Sequence, residues 1–201
     1  MCRGDVEEAV ACIQGGGIVA FPTETYYGLA VDPNCEEAVE RVFEIKKRQS
    51  NKPLLLLVAS SDQLQKVVVD VPKAYLPLMS RYWPGPLTLI FQAKTSVSRR
   101  ITGGTQTVGV RISSHPVARE LVKRTGNPIT ATSANISGML PAESAHDVEK
   151  VFKGVIDLII DGGQTRGGLC STILGFRNRR LVVLRKGQIA MEDVVSNGDF
   201  S

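Results

Sequence analysis

Gly15-Gly-Gly-Ile-Val-Ala-Phe-Pro-Thr-Glu-Thr-Tyr-Tyr-Gly-Leu-Ala-Val-Asp-Pro33 is the stretch on which the fold turns. Before it, Val6, Ala9, Val10 and Ile13 recur at helical spacing, and three glycines in a row stop that helix. Residues 18–21 then read as a short apolar strand, and the polar residues 22–33 as a long loop. Beyond it, Ala38, Val39, Val42, Phe43 and Ile45 return to the helical period. After Lys52-Pro53, the run 54–59 reads as a strand buried on both faces. Helix, strand, helix, strand is the alternation of an α/β sheet covered by helices.

The same alternation runs on. Residues 62–69 and 73–82 are expected as helices, and Pro84-Gly85-Pro86 breaks the second. Strands are expected over 87–93, 108–112, 129–132, 158–161, 171–175 and 181–185. A helix over 116–124 takes Pro116 in its first turn, and residues 144–152 form a short amphipathic helix. The late strands are joined by turns and not helices, which predicts a mixed, open, twisted sheet. No repeat or linker divides the chain, so a single domain over residues 1–201 is expected.

Composition narrows the function classes. The 201 residues are 43% hydrophobic with a net charge of +4, and no apolar run nears the roughly 20 residues of a membrane helix. Met1-Cys-Arg-Gly-Asp-Val-Glu-Glu8 carries acids where a leader carries bases, so a cytoplasmic protein without membrane association is expected. Cys2, Cys12, Cys35 and Cys170 form no CxxC pair, and His115 and His146 stand beside none of them. Free thiols and no protein-held metal are expected.

Four polar segments sit at strand ends, where open α/β sheets bind ligands. Residues 22–29 could bring hydroxyls and a glycine backbone to a small polar molecule, or be a plain turn in which Glu24 caps a neighbour. Lys46, Arg48 and Lys52 fan from a helix end, which suits a polyphosphate as well as a helix dipole. Arg111 closes a strand and can clamp a carboxylate bidentately. His115, just before Pro116, is assigned to capping or packing. Residues 130–138 supply Ser133 and Asn135, with no nucleophile elbow around the serine. Neither GxxxxGK[ST] nor GxGxxG is present.

Together these segments resemble the YrdC family of threonylcarbamoyl-AMP synthases. The resemblance rests on Phe21-Pro-Thr-Glu-Thr-Tyr-Tyr-Gly-Leu29, Lys46-Lys-Arg48, Trp83-Pro-Gly-Pro-Leu-Thr88, Val110-Arg111 with His115-Pro116, Ser133-Ala-Asn135 with Ser137-Gly138, Asp161-Gly-Gly163, Ser171-Thr172 and Leu184-Arg-Lys-Gly187. It implies an open α/β sheet around a basic cavity. It also implies synthesis of threonylcarbamoyl-adenylate and pyrophosphate from ATP, L-threonine and bicarbonate, with Mg2+ accompanying ATP. That product would feed t6A modification at position 37 of tRNA through a further transferase.

The family's KxR and SxN signature falls on Lys46, Arg48, Ser133 and Asn135, the implied catalytic set. ATP contacts fall on Arg48, Lys52, Thr107, Ser133 and Arg185. Threonine contacts fall on Thr25, Arg111, Ala131 and Ser171, with Ala131 offering only backbone, and Tyr27 and Lys46 line the same cavity. Leu57 stands where relatives commonly offer a histidine to threonine, and Pro141 where many carry a serine beside ATP. Lys47 and Gln49 replace a common glycine and proline. The length matches the short form, without the extra C-terminal domain of some relatives. A rival class is a module holding double-stranded RNA or tRNA by its phosphates without chemistry.

Overall fold

The computed structural model describes residues 2–177 and 180–190. Among the described residues ten strands join in one sheet: β1 (Cys2–Gly4), β2 (Val19–Pro22), β3 (Tyr27–Ala30), β4 (Leu55–Leu57), β5 (Leu87–Gln92), β6 (Thr107–Arg111), β7 (Ile129–Ser133), β8 (Leu158–Ile160), β9 (Thr172–Arg177) and β10 (Arg180–Arg185). Their spatial order is β1-β8-β2-β3-β7-β4-β6-β5-β9-β10. The pairs β1–β8, β8–β2, β4–β6 and β5–β9 are parallel and the other neighbours antiparallel, so the sheet is mixed as expected.

The helices are α1 (Val6–Gln14), α2 (Glu36–Ile45), α3 (Ser61–Val67), α4 (Leu76–Tyr82), α5 (Arg99–Thr102), α6 (Pro116–Thr125) and α7 (Ala145–Phe152). Their ends carry recognisable chemistry. Asp5 accepts from Glu7 N and Glu8 N while Glu8 reaches back to Asp5 N, a capping box that starts α1. Ser144 accepts from Asp147 N at the start of α7. Pro116 occupies the first turn of α6, where its missing N–H is no loss. No described helix is long and apolar enough to cross a membrane.

The expected long loop after β2 is overturned by β3, which pairs antiparallel with β2 from Val19–Ala30 to Pro22–Tyr27. Thr23 closes the turn between them: its hydroxyl donates to Tyr26 O and accepts from Thr25 N and Tyr26 N. Tyr27, Leu29 and Val31 then alternate into one core, with Gly28 and Ala30 on the other face. β1 and α5 are further elements that the sequence reading did not anticipate. The strand at β4 is buried on both faces as expected, with Leu56 in one core cluster and Leu57 in the other.

Alternation along the strands divides the burial. Val108 and Val110 of β6, Leu87, Leu89 and Phe91 of β5, and Leu174 of β9 face a large core completed by α2, α3, α4 and α7. On the opposite face a smaller core takes Val19 and Phe21 of β2, Leu57 of β4 and Ile129 of β7, with Ala9 and Ile13 of α1 and Ala118, Leu121 and Val122 of α6 over them. Burying a leucine or valine this fully contributes about 1.5–3 kcal/mol. Those two helices pack over one end of the sheet only. The rest of that face, from β7 to β9, is where the cavity lies.

Candidate active site

The uncovered half-face forms a cavity of about 190 Å3. Period-two alternation supplies its floor: Leu55 from β4, Thr88 and Ile90 from β5, Gly109 and Arg111 from β6, Ala131 and Ser133 from β7, Ile173 from β9. Gly109 matters by what it lacks, since a Cβ there would stand 3.2 Å from Ile90 Cδ1 and 3.3 Å from Thr88 Cγ2. The β2–β3 turn contributes Thr23, Thr25 and Tyr26, and Arg48, Cys170, Ser171 and Arg185 complete the wall. Three guanidinium groups therefore meet hydroxyls on an otherwise apolar floor.

Arg111 is 5% exposed and its Nη1 lies 3.2 Å from Glu24 Oε1. Burial pushes its pKa down and Glu24 pulls it up. Arg48 donates through Nη2 to Pro53 O at 2.7 Å, while its buried Nε has no partner. Burial and the charge of Arg185 hold the Arg48 pKa below its ordinary value. An added anion would relieve both effects. Arg185 donates to Ser171 O at 3.1 and 2.9 Å and to Ser171 Oγ at 2.9 Å, and Thr88 Oγ1 lies 2.9 Å from that same hydroxyl. Arg185 and Ser171, assigned to different ligands, are thus bonded to each other.

Of the residues singled out in the sequence, Thr25, Tyr27, Arg48, Arg111, Ala131, Ser133, Ser171 and Arg185 line this cavity. Lys46 and Asn135 are not among its lining residues. Lys46 is 1% exposed, and its ammonium donates to Ser133 O, to Asn135 O at 2.7 Å and to Asn135 Oδ1 at 3.2 Å. Asn135 Oδ1 also accepts from Ser133 Oγ at 2.6 Å, and its Nδ2 donates to Met139 O at 2.7 Å. The pair is a buttress under Ser133, because the end of α2 drops the lysine beneath the loop.

Lys52 is exposed and outside the lining. Thr107 shares the face of Gly109 and Arg111 but sits one pleat further out, 2.8 Å from Thr105 Oγ1 through its hydroxyl. Leu57, which stands where relatives commonly offer a histidine to threonine, is fully buried in the smaller core. Leu55, two residues back on the same face, is the residue of β4 that lines the cavity with its side of the strand. Pro141 lies outside the lining too. His115 precedes α6 without a side-chain cap bond, and burial holds its pKa down.

Sequence reasoning missed Leu55, Thr88, Ile90, Gly109, Cys170 and Ile173 as lining residues. The signal for most of them was present: once a strand's cavity face is known, every second residue belongs to it. Glu24, read only as a cap, turns out to hold Arg111 and to accept from Ser113 Oγ.

The fold and site are thus an open mixed α/β sheet with an arginine-lined cavity on one half-face. The Sua5/YciO/YrdC family model, described as "Telomere recombination", matches residues 11–187. The threonylcarbamoyl-AMP synthase of Pyrococcus abyssi is 44% identical over 186 residues, 92% of this chain and 55% of the relative. That of Bacillus subtilis is 39% identical over 190 residues, 94% of this chain and 55% of the relative. The crystal structure of P. abyssi Sua5 complexed with L-threonine superposes with a TM-score of 0.92 at 39% identity, covering 98% of this chain and 62% of the other. The chain belongs to the Sua5/YciO/YrdC family, and it spans about half the length of these relatives.

Proposed function

We propose that this chain is a threonylcarbamoyl-AMP synthase, joining L-threonine, bicarbonate and ATP into threonylcarbamoyl-adenylate and pyrophosphate. The observation that carries the reading is the convergence of Arg48, Arg111 and Arg185 with Thr25, Ser133 and Ser171 on one cavity. The names of the relatives point the same way.

The chemistry asks for cations and positioning more than for a nucleophile. Threonine's amine and bicarbonate give a carbamate with loss of water. A carbamate oxygen then attacks the α-phosphorus as the bond to pyrophosphate breaks. The attacking oxygen is already anionic, so the protein's work is to gather a crowded set of negative charges and align them. Arg48 and Arg185, with Ser133, take the phosphates, and Lys52 and Thr107 meet the nucleotide at the mouth. Arg111 and Thr25 take threonine's carboxylate and hydroxyl, with Ser171 and the Ala131 backbone beside them. Lys46 and Asn135 act through Ser133.

Mg2+ would enter with the phosphates and offset their charge. Among the described residues no cluster of three His, Cys, Asp or Glu side chains fits a protein-held ion, and the cavity wall is cationic. In this reading the protein works in the cytoplasm, and its product passes to a transferase that completes t6A on tRNA. A recessed cavity of small-molecule size favours the enzyme over a module that only grips duplex RNA by its phosphates.

Pyrophosphate release is the test. It is expected to require ATP, L-threonine and bicarbonate together. Release that ignores threonine and bicarbonate, or tight duplex-RNA binding with no release at all, would replace the synthase reading.

A further inference from the structure

Glu24 sits in the β2–β3 turn between Thr23 and Thr25, both of which line the cavity, yet it does not line the cavity itself. Its carboxylate reaches across to β6 and the segment beyond. Oε1 pairs with Arg111 Nη1 at 3.2 Å, and Oε2 accepts from Ser113 Oγ. The two charged side chains are 6% and 11% exposed. A buried pair of this kind is weak evidence for stability, because desolvating both charges offsets much of their attraction.

The geometry of the contact is informative. A guanidinium and a carboxylate usually meet fork to fork, through two parallel hydrogen bonds. Here Ser113 occupies the second carboxylate oxygen, and Arg111 meets the first through one terminal nitrogen as an ion pair, with Glu24 Oε1 accepting no hydrogen bond. Its Nε is buried and has no hydrogen-bond partner, although the side chain lines the cavity. A planar group pinned at one corner by a fixed charge keeps its remaining donors in a set orientation. A buried donor without an acceptor is costly unless a ligand supplies one.

We propose that Glu24 is the positioning residue for Arg111, fixing one guanidinium nitrogen by charge so that the guanidinium is presented to the carboxylate of an amino-acid substrate in the cavity. This rests on the threonine reading of the cavity. Ser113 takes part by keeping the carboxylate monodentate. His115 also feels Glu24, but its buried Nδ1 makes no hydrogen bond and does not compete for the carboxylate.

The experiment is a calorimetric titration of L-threonine, and separately of ATP, into the wild type, Glu24→Gln and Ser113→Ala, with melting temperatures and steady-state kinetics alongside. Glu24→Gln keeps the size and loses the charge. It is expected to weaken threonine binding about tenfold or more, the usual effect of losing one charge-assisted contact. ATP affinity should be unchanged, and KM for threonine should rise more than kcat falls. Ser113→Ala is expected to move threonine in the same direction by less. A folded Glu24→Gln that binds threonine as the wild type does would overturn the positioning role while leaving the synthase reading intact. If Glu24→Gln does not fold, an unchanged threonine KM in Ser113→Ala overturns it instead. A wild type that binds ATP but no threonine overturns both.

Discussion

Lys46 illustrates what a residue's identity conceals. Its place at the end of a helix, two positions before Arg48, suggests a phosphate contact, and the side chain instead disappears beneath the loop carrying Ser133. Burial and the nearby Arg48 charge push its pKa down to about 7, and that outweighs three oxygen acceptors that suit an ammonium. The folded pKa lies below the unfolded one, so the folded state binds fewer protons between the two values. Lys46 should therefore make the fold more stable as pH rises from about 7 towards 10.5, and impose its full cost below 7. In an NMR titration its side-chain signal is expected to move near pH 7. A bound nucleotide should shift that midpoint upward by offsetting Arg48. A midpoint near 10.5 with and without nucleotide would contradict this. Lys47, where the resemblance has a common glycine, has φ +49°, the left-handed region in which a side chain costs about 1–2 kcal/mol. The departure in sequence thus carries a visible conformational cost.

At the scale of elements, most helices and strands were legible because apolar spacing and stop signals agree there. Ala38, Val39, Val42 and Phe43 mark α2, and Pro84-Gly85-Pro86 ends the helix before β5. β3 escaped because Thr23, Glu24 and Thr25 colour the whole stretch polar, hiding the alternation of Tyr27, Leu29 and Val31. Lys46 and Asn135 could be named but not placed, since nothing in local spacing says whether a cation lies beside a cavity or below it. The turn after β10 shows a tighter dependence. A Cβ on Gly187 would lie 2.3 Å from Cys170 O and 2.5 Å from Ser171 C and Thr172 N, all backbone atoms that cannot swing aside. Gly187→Ala is expected to cost about 1–3 kcal/mol by overpacking. It should also weaken ligand binding through Ser171, which Arg185 clamps. A denaturant midpoint and threonine affinity equal to those of the wild type would show that this approach is not required.

For the molecule as a whole, the site follows from an asymmetry of coverage. α1 and α6 seal one end of a sheet face and leave the stretch from β7 to β9 open, so side chains that elsewhere would be core instead wall a cavity. Which strand ends carry hydroxyls and arginines could be read from the sequence, whereas which half of the face stays open depends on long-range packing. In the proposed function, this open half-face brings threonine, bicarbonate and ATP together for one adenylyl transfer. The most direct test supplies 13C-labelled bicarbonate with ATP and L-threonine and follows the quenched product by mass spectrometry, for the wild type and Arg48→Ala. The prediction is a threonylcarbamoyl-adenylate carrying the label. At limiting ATP its yield should fall about 10- to 150-fold in Arg48→Ala, the effect of one lost charge-assisted contact. ATP consumed without any labelled adduct, or equal yields from the two proteins, would contradict the account.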